Sequence, residues 1–225
     1  MRTLRTNRET TPEGFHDQVL SDHIAPDCGT NHQVNGLRSR SRTERGTSQV
    51  RRRSRVAATH GPRAEFSDAE FTGPASFEES VFSTGAVFNG VRFRSRATFE
   101  NAVLSGGGHF KNALFAGPVS FRCAEFGEGA ASFTAATFER DSDFSRARLG
   151  GTTAFGQVRF LGNSADCSLC WFGGALEFGG AHVESLALFD RARFLGPVRL
   201  GDATFATPPD LPGDQGAGRT RHSLH

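Results

Sequence analysis

The run Cys167-Ser168-Leu169-Cys170-Trp171 is where residue type and spacing most directly suggest chemistry in this 225-residue chain. Two cysteines three apart can form a redox pair or supply half of a zinc site. No second C-x-x-C exists to complete such a site; the remaining cysteines are Cys28 and Cys123. Four cysteines in a chain of this length do not describe a disulfide framework. His109 and His182 could ligate a metal or shuttle a proton, but no second histidine or acid accompanies both at ligand spacing. No Ser/His/Asp set, phosphate-cradling glycine loop or metal motif stands at a unique place. No catalytic residue, metal ligand or cofactor is assigned from the sequence.

The elements that must position these residues have an unusual clock. Phenylalanines stand at 77, 82, 88, 93 and 99, with gaps alternating between five and six. A helix places apolar residues three and four apart, and a lone strand every second one. From Phe66 to Phe205 the pattern has 26 centres, 21 of them Phe, the others being Leu104, Leu149, Cys167, Val183 and Leu200. Only the gaps 126→133 and 160→167 stretch to seven. Two positions before each centre the residue is small in 21 of 26 cases, usually Ala, and Gly or Pro often marks the longer gap.

In an extended stretch, residues i−2 and i point to one side and i−1 and i+1 to the other. Each unit is therefore a very short strand with its Ala and Phe inward, followed by a turn. One such unit cannot bury its inner face, whereas stacked coils can. This register places Cys167 on a centre and Cys170 on the small position before Phe172, both in the interior, where cysteine packs as a small hydrophobe. His109 and His182 fall at i−1 and face outward.

The recurring A-x-F-x-x units, AEFSD, AEFTG, AVFNG, ATFEN, ALFAG, AEFGE, ATFER and ATFAT, resemble the pentapeptide-repeat proteins over about 62–206. The resemblance implies an all-β fold, a right-handed quadrilateral β-helix of about six and a half coils. This chain departs from the family pattern by adding a sixth residue at alternate units, so two corners of each coil are expected to bulge. Four faces imply that residues four units apart lie one above another. The outward residues of one face then run Val81, Val103, Glu125, Arg148, Trp171, Arg193, exposing the sole Trp between Arg148 and Arg193 as a cation–π ladder. The neighbouring face gathers Glu78, Glu100, Asp143, Asp166 and Asp190 against Arg122, an acidic side. Trp and Arg are enriched at binding hot spots, so Trp171, Arg148 and Arg193 are the candidate partner-binding residues.

The resemblance carries two functional expectations. One is a non-catalytic scaffold that offers flat solenoid faces to an unidentified protein partner. The alternative is a DNA mimic that docks on gyrase and protects it from poisons. That activity wants a strongly acidic rod, yet residues 66–206 carry 12 basic and 15 acidic side chains.

Domain organisation is read as a leader at 1–63, a β-helix at 64–206 and a tail at 207–225. The leader holds 12 of the chain's 25 Arg and little apolar content, and reads as disordered apart from a short helix around Pro12–Ile24. Nucleic acid is expected to bind only weakly, through phosphate charge at Arg38–Arg55. The Pro/Gly-rich tail also reads as disordered. With no apolar run long enough to span a bilayer and no signal-like apolar centre, a cytoplasmic location without membrane partners is expected. Uncovered strand edges at the ends of a stack leave room for an end-to-end homodimer.

Overall fold

The computed structural model describes residues 63–211, together with the backbone of Gln49–Val50 and Ser54–Arg55. All of them belong to one compact unit spanning 32–225. The expected helix around Pro12–Ile24 and the segment after 211 lie outside the described residues.

Every described element is a strand of two or three residues, and every pairing is parallel. The strands assemble into four sheets of eight, seven, six and seven strands, in which neighbours lie four elements apart in the chain, or three at the first pairing of the eight-stranded sheet and of one seven-stranded sheet. Face I runs from Gln49–Val50 and Glu70–Phe71 to His182–Val183 and Thr204–Phe205. Face II runs from Ser54–Arg55 and Ala75–Ser76 to Ser164–Asp166 and Leu186–Leu188. Face III runs from Val81–Phe82 to Arg193–Phe194, and face IV from Ala64–Glu65 to Val198–Arg199. The chain thus winds as a four-sided parallel β-solenoid. Gln49–Val50 and Ser54–Arg55 pair with Glu70–Phe71 and Ala75–Ser76, so strand pairing begins within the segment read as leader.

The interior is what the Ala and Phe spacing requires. Phe77, Phe82, Phe88, Phe99, Phe110, Phe115, Phe121, Phe133 and Phe138 have no exposed surface. Rings one coil apart stack face to face, as in Phe77 on Phe99 and Phe99 on Phe121, each at 4.7 Å. Rings from adjacent faces meet edge-on, as Phe99 meets Phe110 at 5.4 Å and 90°. Both geometries suit the aromatic quadrupole. The Phe columns of faces I and II are interrupted at Val183 and Cys167, and a void of about 10 Å³ remains beside them, room for one water at most.

The five- and six-residue gaps make different corners. At five-residue corners the small residue's N–H bonds back to the centre three before it, as from Ala136 to Phe133 and from Cys170 to Cys167. The residue before it has positive φ, with 57° at Ala135 and 60° at Leu169, as a type II turn requires. The added residue sits at the other two corners, and the square of four sheets closes with this alternation. At the corner leading from face III to face IV, coils approach so closely that a Cβ on Gly106, Gly151, Gly174 or Gly196 would lie 2.3–2.5 Å from the backbone of the coil before.

Candidate functional site

Face III carries the ladder that includes the sole Trp. Val81 pairs with Val103, Val103 with Glu125, Glu125 with Arg148, Arg148 with Trp171 and Trp171 with Arg193. The order is the one the spacing implies. The side chains alternate with buried partners, since Phe172 is 1% exposed and Leu149 likewise. The Arg148 guanidinium carbon lies 5.5 Å from the centroid of the Trp171 ring, a cation–π contact. Arg193 continues the ladder on the other side and is solvent-exposed. Trp171 itself is half-covered rather than fully exposed. The cover comes from its own coil: a Cβ on Gly173 would meet Cη2 and Cζ3 of the indole at 2.6 Å. The ring therefore leans along the strand and lies over a residue that has no side chain.

Gly173 was not apparent as a functional neighbour of Trp171 from the sequence, where its many companions all read as turn markers. The signal is positional. The residue after the centre on this face is Gly127, Gly150 and Gly173 in three successive coils, a run that face IV shares at Gly156, Gly179 and Gly201 while faces I and II place side chains there. These three glycines level the floor on which the indole rests.

The acidic residues share face II but not one column. Asp143 pairs with Ser120 and Asp166 and belongs to the ladder that begins at Arg55 and Ser76 and ends at Leu188. Glu78, Glu100 and Asp190 lie on the other side of the Phe column, in the file that also holds Arg122. A shallow trough of about 340 Å³ crosses this face, with Glu100, Asp141, Asp143 and Asp166 around it and Arg96 at its rim. Several of these carboxylates are already engaged by backbone. Oδ1 of Asp143 accepts from Ser145 N–H and Oδ1 of Asp166 from Ser168 N–H, each at 2.8 Å. Oδ1 of Asp141 accepts from the N–H groups of Asn163 and Ser164, one coil on.

Residues 66–113 match a family model for pentapeptide repeats in nine copies. The same register continues in the strands as far as Thr204–Phe205. This chain is a pentapeptide-repeat protein. No curated protein matches it.

The pentapeptide-repeat register also decides the fate of Cys167 and Cys170. Cys167 and Cys170 are 5% and 0% exposed, both within the core. Sγ of Cys170 donates to the carbonyl oxygen of Phe144 at 2.8 Å. Burial, reinforced by the hydrogen bond and charge of Cys167, pushes the Cys170 thiol well above its ordinary value. A thiol held protonated and covered is a poor nucleophile.

The histidines face outward as their positions require, but each is more engaged than a solvated surface residue. His109 is partly covered, and burial, with the charge of Arg63, lowers its pKa. His182 lies 2.8 Å from Oγ1 of Thr204 through Nδ1 and 3.0 Å from Oε1 of Glu184 through Nε2. Thr204 is the ladder partner of His182 one coil on, so the register already places the two side chains next to each other. Among the described residues no group of three or more His, Cys, Asp or Glu converges as a metal site. No helix among them is long and apolar enough to cross a membrane.

Proposed function

We propose that this pentapeptide-repeat protein is a non-catalytic scaffold that binds a macromolecular partner through face III. The observation that carries the reading is Trp171, laid on Gly173 beside the Arg148 guanidinium on a flat, regularly spaced surface. An aromatic and an arginine presented together are the residue types that dominate interface energetics. A rigid ladder holds them in place before any partner arrives, so little ordering entropy is lost on binding. The working location is the cytoplasm and the partner is a protein. Proteins from the native host retained by the full chain and lost with Trp171→Ala support this role; an unchanged set of bound proteins refutes it.

A second reading, the DNA mimic that docks on gyrase, draws on the trough of face II and its carboxylates. Arg96 and Arg122 interrupt the negative surface there, and backbone N–H groups already occupy Asp141, Asp143 and Asp166. A supercoiling assay with purified gyrase decides it: no inhibition or protection at micromolar protein removes the mimic.

A further inference from the structure

The ladder through Trp171 is one of two that run side by side. At the five-residue corner just before it, the positive-φ position is held in successive coils by Arg146, Leu169 and Arg191, with φ of 62°, 60° and 55°. The coils are tied there by backbone bonds from Arg146 N–H to the Ser168 carbonyl and from Leu169 N–H to the Asp190 carbonyl. Each corner residue stands two positions before its partner in the ladder of Arg148, Trp171 and Arg193. Three adjacent coils therefore present Arg and Arg, then Leu and Trp, then Arg and Arg. An apolar pair is bracketed by four cations.

The surroundings leave the charge of Arg148, Arg191 and Arg193 largely unanswered. On face I, Arg94 pairs with Glu70 at 2.6 Å, and on face IV, Arg199 pairs with Glu177 at 2.9 Å. Arg148 and Arg193 form no ion pair among the described residues, and Arg191 meets Asp190 only at 4.0 Å, with both side chains about four-fifths exposed. Leu169 is 38% exposed, and Leu195, which follows Phe194 in the last of these coils, is 68% exposed. Two of the three large apolar side chains standing exposed among the described residues thus flank the same patch.

We infer that the array formed by Arg146, Leu169, Arg191, Arg148, Trp171 and Arg193 is a docking site for a protein segment in which an apolar side chain is flanked by carboxylates. This rests on the reading of face III as the binding face and names the chemistry of its partner. Coils are about 4.8 Å apart, so the two rows of arginines lie about 10 Å apart across the apolar row. An extended acid–x–apolar–x–acid segment places like-facing side chains about 7 Å apart, within the reach of flexible guanidinium arms on either side. Guanidinium forks match carboxylates bidentately, and the central apolar contact excludes water from around them. Single-stranded nucleic acid is the poorer fit, because Gly173 and Arg148 already cover much of the indole on which a base would stack.

Trp171 is the only tryptophan, so its emission reports binding without a label. The full chain is titrated with the peptide ESFSESFSE, with its uncharged counterpart QSFSQSFSQ and with a twelve-nucleotide oligothymidine. The expected result is an emission change with the acidic peptide alone, its binding weakened at least about fivefold between ~50 and ~300 mM salt as screening loosens the guanidinium–carboxylate attraction. Arg191→Glu with Arg193→Glu abolishes it while leaving the circular dichroism of the solenoid unchanged. Equal binding of both peptides, no response to either at about millimolar concentration, or tighter binding of the oligonucleotide overturns the inference. A host partner lost with Trp171→Ala yet indifferent to the charge reversals overturns it while leaving the scaffold role standing; a set of host partners unchanged by Trp171→Ala overturns both.

Discussion

Phe121→Ala removes a ring from the middle of the solenoid core. Phe121 has no exposed surface and stacks between Phe99 at 4.7 Å and Phe144 at 4.9 Å. Edges of Phe110 and Phe133 close the other sides at 5.3 and 5.4 Å. Transfer of the ring to water costs about 3 kcal/mol at the upper end for a fully buried Phe, and the unfilled cavity adds to it. These four aromatic contacts and the looser ones to Phe115 and Phe126, each at 6.1 Å, are lost as well, and the stacked coils on either side, held by parallel ladders, cannot collapse into the gap. The expected loss is about 5 kcal/mol, the top of the range for Phe→Ala. Phe194→Ala is the matched control in the last coil. Phe194 is only partly covered, stacks on one side against Phe172 at 5.1 Å and meets Phe189 at 6.0 Å. Half the burial and one stacking partner give a loss of about 1.5 kcal/mol. Urea unfolding of the two variants followed by far-ultraviolet circular dichroism gives both numbers. Equal losses would show that the rings do not form a continuous axial core.

Three further outcomes follow from particular contacts. Ser142 holds a position that neighbouring coils fill with Val119 and Ala165, and its buried hydroxyl has no hydrogen-bond partner; Ser142→Ala should stabilise the fold by about 1 kcal/mol in urea unfolding. Gly173→Ala puts a methyl where the indole lies and 2.6 Å from the Gly150 carbonyl oxygen, so the Trp171 emission maximum should move to longer wavelength, and an unmoved spectrum contradicts the packing. For Cys170 the folded state holds its proton more tightly than the unfolded state, so its contribution is complete below the ordinary thiol value of 9.0 and is lost as pH rises above it; the urea midpoint of the wild type should fall more between pH 8 and pH 10 than that of Cys170→Ala, and parallel curves refute the assignment.

What the sequence made legible was whatever depends on register. Twenty-six repeated centres leave only one way to stack the chain that buries every Phe, so the ladder from Val81 to Arg193 follows from counting. Strand pairing at Gln49–Val50 and Ser54–Arg55 escaped because no Phe marks that coil. The corner file of Arg146, Leu169 and Arg191 escaped for another reason: positive φ usually signals Gly or Asn, yet here the turn hydrogen bond holds Leu169 and Arg191 in that region. Side-chain lean is not periodic either. Nothing in the spacing says that Trp171 bends toward Gly173. That depends on which rotamers the neighbouring coils leave open.

The most direct measurement of the account is quenching of Trp171 emission by iodide, caesium and acrylamide in the folded full chain. An outward indole set among Arg146, Arg148, Arg191 and Arg193 predicts that acrylamide reaches it and that iodide quenches severalfold more strongly than caesium, a preference that shrinks with Arg193→Glu. Caesium quenching as strong as iodide, or an indole that none of the three reaches, would contradict the outward register of face III and everything placed on it.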